Sequence, residues 1–107
     1  MAEYSVSRPL RRPPTHPGAL MREIIEQQLR LPKTDAARRM KISRASLYAV
    51  LNGDGSVTAD MALRFARMTG GSAELFLRMQ EAHDLWHARH RLAGTLAKIE
   101  RVAATAA

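Results

Sequence analysis

A chain of 107 residues, 46% hydrophobic and 25% charged, has the length and balance of one folded domain and excludes an extensively disordered one. No apolar run nears the ~18–20 residues of a membrane span, and the lack of cysteine excludes disulfides and thiolate metal sites. A net charge of +7 and a pI near 11.0 favour a polyanionic partner, nucleic acid before membrane; the start lacks a signal-like apolar core, and the absence of cysteine fits a reducing cytoplasm.

Residues 1–14 read as a flexible basic arm, with Arg8, Pro9, Arg11, Arg12, Pro13 and Pro14 and little to bury. Pro17 suits a first helical turn, and Leu20, Met21, Ile24, Ile25 and Leu29 follow at spacings of three and four. That predicts an amphipathic helix of about fourteen residues. Leu31-Pro32 breaks it and Pro32 opens a second, short helix whose inner face is Ala36, Ala37 and Met40. Lys41-Ile42 is a turn. Ser43 is a good N-cap for a third helix over 44–51, with Leu47, Val50 and Leu51 inward and Asn52-Gly53 as its stop.

After a loop over 54–57, Thr58 caps a fourth helix that turns Met61, Ala62, Phe65, Ala66 and Met68 to the core. Gly70-Gly71 ends it, and Ser72 caps a fifth with Leu75, Phe76, Met79, Leu85 and Trp86 inside. Helical spacing then continues through Leu92, Leu96, Ile99 and Val102. With no credible strand, the chain is all-α.

Charge is concentrated on the second and third helices. From residue 30 to 44 six cations (Arg30, Lys33, Arg38, Arg39, Lys41, Arg44) stand against Asp35 alone, a local charge of +5. Charge alone would make this a solvated face. It falls, however, on two short helices joined by a tight turn, the pattern of a helix-turn-helix. There the second helix enters the major groove end-on while the first braces it across the backbone, so the inner faces must be small or branched, as Ala37, Ile42, Leu47 and Val50 are.

The stretch 33–53, from Lys33, Thr34 and Asp35 through Ser43, Arg44, Ala45, Ser46, Leu47 and Tyr48 to Asn52-Gly53, resembles the Xre/Cro repressor-like helix-turn-helix. More narrowly, His16-Pro17-Gly18, the run from Thr58 to Arg64 and the run from Gln80 to Trp86 look like HigA-type antitoxins. The resemblance implies a five-helix, lambda-repressor-like bundle with a C-terminal helical extension. It divides the chain into a basic arm (1–14), a DNA-binding domain (15–90) and a helical tail (91–107). It further implies a dimer that represses its own operon and pairs with a small, ribosome-dependent RNA-cleaving toxin. Two positions depart from the family pattern. Lys41 stands where glycine is usual, so a left-handed backbone there costs roughly 1 kcal/mol, and Lys33 stands where glutamine is common.

On this frame Arg44 is the expected base reader, since a guanidinium grips guanine O6 and N7 together. Ala45, Ser46, Tyr48 and Ala49 share its face: the alanines suit a thymine methyl, and Ser46 a base or a phosphate. Lys33, Thr34, Arg38, Ser43 and Asn52 are placed to hold phosphates, which position a protein without reading sequence. Tyr48 has an equal claim to pack on the neighbouring helix.

Rival constellations are weaker. His83, His87 and His90 share a helical face, but without thiols or a metalloprotease glutamate they read as solvated or packed histidines, not a metal site. Glu81 and Asp84 beside them make no acid–base pocket, and Trp86 reads as core. No nucleophile–base pair or phosphate loop points to an enzyme, and no cofactor is implied. Leu85, Ala88, Leu92, Leu96, Ile99 and Val102 form a near-heptad seam broken by Gly94, which either folds back on its own domain or meets a partner helix. In the second case Leu85, Leu92, Leu96 and Ile99 are the dimerisation residues, and two reading heads match an inverted-repeat operator in double-stranded DNA. The expected function is thus a dimeric repressor and antitoxin. A stand-alone regulator and a protein-interaction module without DNA binding are the alternatives.

Overall fold

The computed structural model describes residues 11–104, and all its regular elements are helical. Of the anticipated basic arm, residues 1–10 lie outside the described residues, and 11–14 carry no helix. Helix α1 (Pro17–Glu23) starts as its sequence demands. Proline occupies the first helical position, where no N–H is needed, and the His16 ring accepts the Gly18 N–H as N-cap.

The first helix does not run on as α-helix. From Ile24 to Gln28 it widens into a π-helical turn, with the Leu29 N–H reaching back to the Ile24 carbonyl at 2.8 Å. Ile25 is fully buried while Leu29 is left exposed. Apolar spacing cannot register such an inserted residue. Arg30, with φ of 53°, then turns the chain toward α2 (Lys33–Met40), and Pro32 stays outside it as an extended cap instead of opening it.

Helix α2 ends in a Schellman turn. Lys41 is left-handed (φ 60°), its N–H reaches Arg38 O at 3.1 Å, and the Ile42 N–H reaches Ala37 O at 3.1 Å. A non-glycine residue here is unfavourable by about 1–2 kcal/mol. The neighbourhood offsets it: Arg64 Nη1 donates to the Met40 and Lys41 carbonyls at 2.9 and 3.1 Å, capping the end of α2 from another helix. Arg64 is held for this by an ion pair with Asp60.

Helix α3 (Arg44–Leu51) is capped by Ser43, α4 (Ala59–Thr69) by Thr58, and α5 (Ala73–Arg91) by Ser72, each hydroxyl accepting an amide of the first turn. Helices α1 to α5 enclose a core of Met21, Ile25, Ala36, Ala37, Met40, Leu47, Val50, Leu51, Val57, Met61, Ala62, Phe65 and Phe76, with Phe65 and Phe76 edge-to-face at 5.1 Å. Ala36 and Ala37 are buried and carry only methyl groups, so α2 and α3 cross closely.

The core ends part-way along α5. Phe76 and Gln80 are its last buried residues; Leu75 and Leu85 are exposed and Trp86 is half-buried, so these three are not the core side chains that helical spacing suggested. Trp86 instead stacks on His90 with centroids 3.7 Å apart. The apolar seam is not one helix either. α5 stops at Arg91, a five-residue α6 (Ala93–Ala97) follows, and Leu92, Leu96, Ile99 and Val102 are exposed. The tail does not fold back over its own domain.

Candidate nucleic-acid interface

The two helices of the basic segment are held at a fixed crossing by Ala37, Ile42, Leu47 and Val50, which are buried or half-buried. That leaves the start of α3 on the outside. Arg44, Ala45 and Ser46 are all exposed, whereas Leu47, one residue further on, is fully buried. Arg44 shares a shallow groove with Thr34, Asp35 and Arg38, floored by Ala37 and Ile42.

Each anticipated contact has a definite environment. Ser43 Oγ accepts the Ser46 N–H at 3.0 Å and also meets Ser46 Oγ at 2.8 Å, so its first role is to cap α3. Arg38 pairs with Asp35 at 2.9 Å, and Lys33 with Glu26 at 3.8 Å. Both pairs are exposed, so they hold the cations loosely and leave them able to exchange a carboxylate for a phosphate. Lys33 Nζ also sits 5.6 Å from the centroid of the Tyr48 ring, a cation–π contact that ties α2 to α3. Tyr48 is half-buried against the core. Ala49 is half-buried too, at the rim, with Gly55 against its methyl and its carbonyl accepting the Asp54 and Gly55 amides.

Asn52 closes the far end. Its Oδ1 accepts a hydrogen bond from Arg22 Nη2 of α1, which leaves the amide NH₂ outward as a donor. Nothing in the local sequence pairs residues 22 and 52, so this partner is invisible to periodicity. The same is true of Gln80, whose buried amide accepts the Val57 N–H at 2.8 Å and donates to Asp84 at 2.9 Å, pinning the loop before α4 to α5. His16, Arg22, Arg64 and Gln80 are thus the supporting residues that spacing arguments missed, because each reaches a partner more than twenty residues away.

The anticipated dimerisation residues Leu85, Leu92, Leu96 and Ile99 lie together on the exposed end of α5 and the tail, well removed in sequence from α3. The three histidines do not converge on a point. The His83 and His87 rings are tilted with centroids 4.5 Å apart, and His90 Nδ1 lies 2.9 Å from the Trp86 carbonyl oxygen. Among the described residues no helix is long and apolar enough to cross a membrane.

Two short helices, a left-handed turn between them and a bare, cation-flanked first turn on the second define a DNA-binding helix-turn-helix. The chain belongs to the helix-turn-helix family, whose profile matches residues 21–76. It is 34% identical over 73 residues to virulence-associated protein I of Dichelobacter nodosus, covering 68% of each chain. Its structural neighbours are HigA-family antitoxins. An addiction-module antidote protein of the HigA family from Coxiella burnetii superposes with a TM-score of 0.76 at 28% identity, over 85% of this chain and 100% of that one. Antitoxin GraA in complex with its operator gives 0.78 at 27% identity, over 94% and 100%. This is a family of DNA-binding regulators and antitoxins.

Proposed function

We propose that this protein is a cytoplasmic, sequence-specific DNA-binding repressor and the antitoxin of a toxin–antitoxin pair, which neutralises an RNA-cleaving toxin and represses its own operon. The observation that carries this is the exposed first turn of α3, Arg44 to Ser46, beside a groove lined by Thr34 and Arg38. Similarity to GraA, solved with its operator, supports the same use of the surface here.

In the duplex complex Arg44 reads guanine, and Ala45 and Ser46 touch neighbouring base edges, with Tyr48 and Ala49 at the rim of the same face. Lys33, Thr34, Arg38 and Asn52 hold phosphates, and Ser43 adds a phosphate contact while capping α3. A second copy covers Leu85, Leu92, Leu96 and Ile99, and the homodimer places two α3 helices about 34 Å apart on an inverted repeat. A basic toxin would be held through apolar contact and the exposed acids Glu23, Glu26, Glu74 and Glu81.

The net charge of +7 favours one second reading, a stand-alone regulator, because like charge opposes a basic toxin. Co-expression with the neighbouring reading frame separates the two by whether a complex copurifies.

The direct test is a gel-shift series on the DNA upstream of the protein's own gene. Arg44→Ala should lose about 1–3 kcal/mol of preference for that duplex over a scrambled one. Wild-type affinity should fall with salt at a log–log slope near −0.9 per phosphate neutralised. If Arg44→Ala keeps the full preference, the base-reading assignment fails; if the wild type shifts no duplex, the chain is an interaction module.

A further inference from the structure

His16 connects three parts of the molecule. Its Nδ1 accepts the Gly18 N–H at 2.9 Å, so the ring proton resides on Nε2, which donates to the Gly55 carbonyl at 3.0 Å. Gly55 belongs to the loop leaving α3, and its own amide donates to Ala49 at 2.9 Å. On its other side the ring meets His83 of α5 edge-on, with centroids 5.1 Å apart. Beside it, a Cβ on Gly18 would lie 2.0 Å from the Val50 carbonyl oxygen, so the backbone of α1 rests directly on the last turn of α3. Arg22, also of α1, holds Asn52 in the same loop. The C-terminal end of α3 is therefore splinted to α1 twice.

We propose that neutral His16 is a positioning residue for operator binding: by strapping residue 55 to α1 it sets the tilt at which α3 presents Arg44, and its protonation releases the strap. This rests on the DNA-reading function proposed above. A protonated ring carries an N–H on Nδ1 facing the N–H of Gly18, so the cap that seats it on α1 is lost; Nε2 can still donate to Gly55, but from a ring no longer held against α1. The charged and titratable groups facing the ring are Asp54 in the loop and His83 and Asp84 on α5, with the His87 ring tilted against His83. Burial, the largest influence, and His83 oppose protonation; the Gly55 carbonyl, Asp84 and Asp54 favour it, and the net effect holds His16 below its ordinary value. His83 Nδ1 is itself buried with no hydrogen-bond partner, 3.6 Å from Asp84.

The test uses the full chain and two duplexes, one carrying the DNA upstream of its gene and one of scrambled sequence. Binding is read by fluorescence anisotropy at about pH 7.5 and about pH 5.5. The scrambled duplex removes the general gain in phosphate attraction that acidification brings. Wild-type preference for the upstream duplex should fall roughly fivefold or more at the lower pH. His16→Asn keeps a capping oxygen for Gly18 but is too short to reach Gly55, so its preference should be low at both pH values and flat between them. His16→Gln carries a donor at the Nε2 position and should restore preference with little pH dependence. Independently of DNA, the protection factor of the Gly55 amide, which removes the pH dependence of intrinsic exchange, should fall on acidification in the wild type and be low in His16→Asn at both pH values. The proposal is overturned if His16→Asn keeps the wild-type preference and pH profile, or if Gly55 exchange is the same in both chains. If neither chain prefers the upstream duplex although Gly55 exchange behaves as stated, the operator reading fails and takes the positioning role with it.

Discussion

The helix-turn-helix and the tail beyond Leu85 are built from similar apolar spacing, yet they end in opposite environments. In α3, Leu47, Val50 and Leu51 recur at helical intervals and are buried. At the end of α5 and beyond, Leu85, Leu92, Leu96 and Ile99 recur just as regularly and stay exposed. The difference is what surrounds each helix. α3 is clasped by α1 and α2, whereas α5 packs on α1 and α4 but buries no residue beyond Gln80. Periodicity specifies which face is apolar; it does not supply the surface that covers it.

The widest gap between the two regions should appear on truncation. Leu47→Ala opens a cavity in a closed core and should cost about 2–5 kcal/mol in chemical denaturation. Leu96→Ala should leave the unfolding midpoint of the dilute monomer nearly unchanged while weakening self-association in sedimentation velocity. A tail variant that unfolds the monomer as severely as Leu47→Ala would mean that the tail belongs to the folded core after all. A smaller effect tests the turn that sets the helix-turn-helix crossing. Lys41→Gly relieves a left-handed lysine and should raise stability by roughly 1 kcal/mol, read as a higher melting temperature. No gain would show that the carbonyl caps from Arg64 already remove the strain.

The smallest effect is electrostatic and separates the regions by pH. His16 binds its proton less readily when folded than when unfolded, so the stability it contributes is intact above the unfolded value of about 6.5. It is lost as the pH falls below that value toward the folded one, because the unfolded chain takes up the proton first. Amide protection factors, corrected for the pH dependence of intrinsic exchange, should therefore fall near Gly18 and Gly55 on mild acidification while the tail amides, remote from the ring, show no matching step. A step of equal size in the tail would place the titrating group elsewhere.

Much of the interface was legible before any coordinates. The caps Ser43, Thr58 and Ser72, the stop at Gly70 and the inward faces of α2, α3 and α4 all follow from contacts within a few residues, and all appear in the structure. The exposed position of Arg44, Ala45 and Ser46 follows from the same pattern. Other features were not accessible. The π-helical turn over Ile24–Gln28 changes the phase of the first helix without altering its composition. Leu75, Leu85 and Trp86 have core-like spacing but run beyond the helices that would bury them. Residues already placed in motifs, such as His16 and Gln80, gave no hint of which distant carbonyl or amide they hold.

Local sequence thus determined the helices, their ends and the site of the positive charge, because propensity, capping and charge act over one or two turns of chain. Which side chains brace the reading helix, and which apolar stripe stays uncovered, depended on long-range approach: the Gly18 backbone against Val50, His16 on Gly55, Arg22 on Asn52. Such pairings arise only when separate helices pack, since no short-range preference brings residues thirty or more positions apart into contact.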